Sequence, residues 1–146
     1  MLKLKMRLDG KITSVNRVYM RGRNGGIFLA PEVKKYRDDV FPIVQKYLKD
    51  SGERYEGGLL TVKIDINENF FTKGGEIKRL DVDNMAKQII DSVFPPLGID
   101  DKTIFNLTMR KVHNDRNQPH IIVKITETPG GNPKKAKGNK ERSKKL

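Results

Sequence analysis

RLDVDNMAKQIIDSVFPPLGIDDKTI, residues 79–104, holds five aspartates and no glutamate in a chain whose formal net charge is +12. Clustered carboxylates repel one another, so the concentration needs a physical reason. Either these groups cap helices and line turns, or they converge on a cation. The same stretch sets the fold. With Asp83 at zero and 100° per residue, Met85, Ala86, Ile89, Ile90, Val93 and Phe94 fall on one half of a helical wheel. Asp83, Lys87 and Asp91 form a stripe on the other half. A helix over 83–94 is expected, ended by Pro95-Pro96, because a residue before proline avoids the α region.

On both sides the apolar period switches from helical to two. MLKLKMRL at the N-terminus puts Leu2, Leu4, Met6 and Leu8 on one face and Lys3, Lys5 and Arg7 on the other, as a half-buried strand does. Leu59–Asn67 repeats the pattern through Leu60, Val62, Ile64 and Ile66. Thr103–Val112 and 120–126 form two more strands, joined by the turn NDRNQP. Pro31 to Lys49 reads as a helix with Pro31 in its first turn and Gly52 just past its end, and Pro42 is expected to kink or split it. RGRNGG (21–26) reads as a loop and FFTKGGEIK (70–78) as a loop or irregular ribbon. The expected architecture is α+β, a small mixed β-sheet with two main helices in the order β-α-β-α-β-β, as one domain over 1–128.

Residues 129–146 have six lysines, one arginine and one glutamate, hence half of the net charge. Rich in Gly, Pro and Lys and without apolar period, this tail is expected to be disordered. A basic body with a basic tail favours a polyanionic partner, against the plainer reading of a solubilising tail. No apolar run is long enough for a membrane span and no secretory signal is visible, so a cytoplasmic protein is expected. With no cysteine, thiolate metal sites are excluded, and two histidines argue against a His-rich zinc site. Any metal would be held by oxygen, which points to Mg2+ or Mn2+.

In an extended segment Asp81 and Asp83 point to one side, with Lys87 one turn beyond. Asp100 and Asp101 follow in the next loop, where adjacent side chains diverge and only one is expected to join the pair. Three carboxylates from two segments suit a hard cation that keeps several waters. Plainer readings stand beside this one: Asp83 as a helix N-cap, Asp91 as a solvated residue or an i,i+4 partner of Lys87, Asp100 as turn chemistry. An EF-hand is excluded, because Met85 and Ala86 stand where a ligand and a glycine are needed.

Asp81-Val-Asp83-Asn84, Lys87, Asp91, Gly98 and Asp100-Asp101 resemble the motif of the RusA family of Holliday junction resolvases. A second block agrees: Asn16, Tyr19, Gly22-Arg23 and Tyr36-Arg37-Asp38, as does a final hairpin ending in Ile-Thr-Glu. The resemblance covers residues 12–128. It departs at Pro95-Pro96 and in the basic tail, and neither touches the acidic motif. It implies a bacterial or phage-encoded homodimer that nicks a four-way DNA junction on opposite strands, using Mg2+ or Mn2+. It further implies Asp81, Asp83 and Asp101 as metal ligands and Lys87 as the catalytic cation. The loops RGRNGG and FTKGGEIKR supply candidates for DNA contact in Arg21, Arg23, Lys73, Lys78 and Arg79, with Asn16 and Tyr19 from the second block. Two other readings remain, a nuclease for other branched DNA and a non-catalytic basic DNA-binding module.

Overall fold

The computed structural model describes residues 1–12 and 19–129. Asn16 and the expected disordered tail from residue 130 onward lie outside the described residues. Four strands make one sheet in the order β1-β6-β4-β5: β1 is Lys3–Asp9, β4 Leu59–Glu68, β5 Ile104–His113 and β6 His120–Thr128. β6 pairs antiparallel with β1 and β4, while β4 and β5 run parallel. The sheet is mixed, as expected. Alternation dictates its core face: Leu4, Met6 and Leu8 of β1, Leu60, Val62, Ile64 and Ile66 of β4, and Ile121, Val123 and Ile125 of β6 are all buried. Each such side chain taken from water contributes about 1.5–3 kcal/mol.

Two helices supply the opposing layer. α1 (Pro31–Ser51) buries Val33, Val40 and Val44, and α2 (Val82–Leu97) buries Met85, Ile89, Val93 and Phe94. α2 is the crossover between the parallel strands β4 and β5. Its C-terminal end therefore lies towards the start of β5 and its N-terminal end towards the far end of β4.

Three local expectations are corrected. Pro42 does not split the helix into two elements: α1 is continuous to Ser51 and closes on Gly52 at φ 67°. Pro42 is exposed, so the backbone carbonyl it leaves without a donor is open to water, while Val40 and Val44 hold the other side. Pro95-Pro96 does not end α2 either. The helix runs to Leu97, and Gly98 at φ 70° donates its N–H to the carbonyls of Phe94 and Pro95. Burial of Phe94, Pro96 and Leu97 outweighs the pre-proline preference. Finally, RGRNGG is no simple loop. It turns a small hairpin of β2 (Tyr19–Arg21) and β3 (Ile27–Leu29), closed by Gly22 N–H to the Gly26 carbonyl at 2.7 Å. Its strands are three residues each and exposed, too short to show a period.

Candidate active site

α2 begins at Val82, so Asp81 is its N-cap and Asp83 lies in its first turn. The extended-chain argument for these two therefore gives way to a helix start, where the positive end of the dipole favours negative charge. Asp83 is not the cap. Asp81 is, yet its carboxylate makes no capping hydrogen bond, and among the described residues both its oxygens are free for another partner. Both residues are exposed, and so is Lys87 one turn further.

The two adjacent aspartates beyond α2 separate cleanly. Asp100 caps a short 3-10 turn, Asp101–Thr103, by accepting the Lys102 N–H at 3.0 Å. This is the turn chemistry expected of it. Asp101 points elsewhere, onto a cleft of about 290 Å3 that Tyr19, Arg37, Ile90, Asp91 and Phe94 also line. The structure thus brings Asp101 together with Tyr19 and Asp91.

Asp91 does not pair with Lys87. Its Oδ2 lies 3.5 Å from Arg37 Nη2, both side chains being mostly buried between α1 and α2. Arg37 Nε and the Tyr36 hydroxyl are buried without a hydrogen-bond partner among the described residues, and burial pushes the Tyr36 hydroxyl pKa up. Arg37 was legible only as part of the motif block Tyr36-Arg37-Asp38. Its place on the cleft had no signal in the sequence.

Asp81 and Asp83 are not in that cleft. Asp83 and Asp91 are eight residues apart, which is about 12 Å along a helix axis. Ligand oxygens around Mg2+ stand about 2.1 Å from it. In keeping with this, no three acidic or histidine side chains among the described residues of one chain group together so as to hold a metal ion.

The aspartates also differ in their partners. Among the described residues Asp9, Asp38, Asp39, Asp65, Asp91 and Asp100 each pair with a cation. Asp81, Asp83 and Asp101 do not, a state they share with Asp50 and Asp115.

Cationic candidates fall in two groups, one in the β2–β3 hairpin and one in the ribbon before α2. Arg21 and Arg23 lie at the end of β2 and in its hairpin turn, both exposed. Lys73, Lys78 and Arg79 belong to the ribbon after β4, which is irregular as expected: Phe71 bridges Ile77, and Lys78 N–H bonds the Phe70 carbonyl at 2.8 Å. The ribbon is anchored to the end of β5, where His113 stands edge-on to Phe71 at 4.9 Å and accepts the Phe70 N–H at Nδ1. Lys73 and Arg79 are exposed and Lys78 is half-buried.

The family model of endodeoxyribonuclease RusA matches residues 9–126. The chain belongs to the RusA endodeoxyribonuclease family, and membership implies nuclease activity on Holliday junction DNA. No curated protein matches the chain. No helix among the described residues is long and apolar enough to cross a membrane.

Proposed function

We propose that this chain acts as a homodimer that resolves four-way DNA junctions by paired, symmetric nicks, and that its divalent cation, Mg2+ or Mn2+, is held by carboxylates from two chains. The observation that carries this reading is the separation of Asp81 and Asp83 from Asp101 along α2, with all three free of cation partners among the described residues. A two-fold axis crossing α2 near Lys87 lays two such helices antiparallel. The Asp81–Asp83 end of one chain then meets the Asp101 end of its partner, and the exchange makes two identical sites.

Exposed apolar surface beside the helix supports the same pairing. β5 is an edge strand of the sheet, and Phe105 and Leu107 on it are 64% and 46% exposed. Tyr19, on the cleft with Asp101, is 58% exposed.

The chemistry follows from the charges. A divalent cation held by these carboxylates would supply water activation and charge neutralisation at the phosphate under attack. Lys87, on the stripe between Asp83 and Asp91, offsets developing negative charge. Arg21, Arg23, Lys73, Lys78 and Arg79 hold the backbone, as sequence-independent phosphate contacts do. Tyr19 lies against the cleft as a surface for a base or sugar, and Asn16 is the remaining candidate for DNA contact. The +12 charge draws the junction in, and the acidic ends cut it.

The test compares cleavage of a four-way junction and of a linear duplex of the same arms, with Mg2+ and with EDTA. Symmetric nicks on the junction with Mg2+ alone are expected. Equal cutting of linear duplex would favour a less selective nuclease, and binding without cutting a non-catalytic module.

A further inference from the structure

Among the described residues, the sheet carries both helices on one face and leaves the other open. Out of that open face stand the residues that alternate with the core: Lys3, Lys5 and Arg7 on β1, Lys124 on β6, Lys63 on β4 and Arg110 on β5. The register aligns them. Lys5 is opposite Lys124, Lys124 is opposite Lys63, and Lys63 is beside Thr108. Three ammonium groups thus share one row across three adjacent strands, about 4.8 Å apart per strand.

Like charges directly opposite in a sheet are destabilising. The next row shows the usual remedy. There Arg110 grips Asp65 through two bonds of 2.9 Å and lowers the carboxyl pKa of Asp65. Arg7 likewise bonds Asp9 at 2.9 Å. The two carboxylates of the open face are both engaged by arginines, and Lys3, Lys5, Lys63 and Lys124 have no carboxylate partner among the described residues. Lys63, Asp65, Thr108, Arg110, Ile122 and Lys124 border a depression of about 390 Å3, in which the Asp65 carboxylate is already held by Arg110.

We propose that this open sheet face is a second DNA-binding surface, on which the row Lys5–Lys124–Lys63 takes the phosphate backbone of a duplex arm. It lies on the side of the sheet away from α2, so it holds DNA at a distance from the acidic ends and takes no part in cutting. Among the described residues bordering the depression Ile122 alone is apolar, and it is half-buried, which gives a bilayer nothing to receive. A cationic row whose lysines have no ion-pair partner among the described residues suits a polyanion, and the surface reads charge rather than sequence. The inference rests on DNA as the partner, as the proposed function does, but not on catalysis.

The test is the salt dependence of four-way junction binding by the full chain in EDTA. For Lys5→Ala/Lys63→Ala/Lys124→Ala, the slope of log K against log salt is expected to flatten by about two to three units, roughly 0.9 for each phosphate no longer neutralised. The thermal midpoint is expected not to fall, because a repulsive row is relieved. Lys5→Arg/Lys63→Arg/Lys124→Arg keeps the charge and is expected to keep the slope. Lys34→Ala/Lys35→Ala/Lys46→Ala, on the exposed side of α1, serves as the control and is expected to leave it unchanged. An unchanged slope in the sheet variant, or an equal loss in the helix control, overturns the surface. Cleavage by the parent chain is followed alongside: a parent that binds junctions without cutting them overturns the nuclease reading and leaves the slope comparison standing.

Discussion

Arg37 of α1 holds Asp91 of α2 at 3.5 Å, Nη2 to Oδ2, with the two side chains 24% and 30% exposed. The pair ties the helices together and removes Asp91 from the free acids of its stripe. Asp91→Asn leaves a cation partly buried without its counter-charge. A loss of about 1 kcal/mol is expected from this half-screened position. The double variant Arg37→Gln/Asp91→Asn should cost less than the two single losses added. Thermal or urea unfolding of the four proteins of the cycle checks this, and strict additivity would mean the ion pair carries no energy.

Asp81→Asn, Asp83→Asn and Asp101→Asn are each expected to abolish junction cleavage and leave junction binding intact or tighter. Removing negative charge beside a phosphate does not weaken its binding. Cleavage near the parent rate by any of the three would remove that residue from the site. The check is a cleavage assay beside an EDTA gel shift.

Glu127 couples stability to pH. Its side chain is 5% exposed. Burial works against its charge, but three backbone N–H groups more than offset this: Leu2 at 2.9 Å, Glu56 at 3.1 Å and Gly58 at 2.8 Å hold its pKa below the usual glutamate value. A lowered pKa in the folded state stabilises above the unfolded value, and that gain is lost as pH falls through the folded value. Glu127→Gln should therefore lower the thermal midpoint at neutral pH, with the gap to the parent closing as pH drops below about 4. A gap independent of pH would leave only a packing effect. Gly58→Ala should disturb the same place, because a Cβ there would strike the Thr128 carbonyl oxygen and the Glu127 side chain.

Removing residues 129–146 takes away seven basic residues. Junction cleavage is expected to persist, with weaker DNA binding and a salt slope flatter by about one unit for each phosphate these residues neutralise. A slope equal to the parent's would show that they do not touch DNA, and failure to fold would show that they belong to the domain.

The strands were legible because burial on one face leaves a period of two, as Leu4, Met6 and Leu8 or Val62, Ile64 and Ile66 show. The stripe of α2 was legible for the equivalent helical reason. Pro42 and Pro95-Pro96 misled because a local preference of a few kcal/mol competes with packing that only the fold reveals. The β2–β3 hairpin was missed because exposed three-residue strands carry no period. At the acidic ends, residue types and spacing were readable, as was the divergence of Asp100 from Asp101. The helix start at Val82 was not. Nor was the distance between the two acidic ends, which follows from β5 lying parallel to β4 and so starting at the opposite end of α2 from Asp81. The partner of Asp91 depended on how α1 crosses α2, which no local pattern encodes.

Mixing Asp83→Asn protein with Asp101→Asn protein tests the central claim most directly. Each is expected to be inactive alone. If one site takes Asp81 and Asp83 from one chain and Asp101 from the partner, half of the dimers after subunit exchange contain one intact site. Such dimers regain single-strand nicking of the junction and bind Mn2+ at that site in a calorimetric titration. A mixture that exchanges subunits, binds junctions and yet neither nicks nor binds Mn2+ would contradict a site built from two chains.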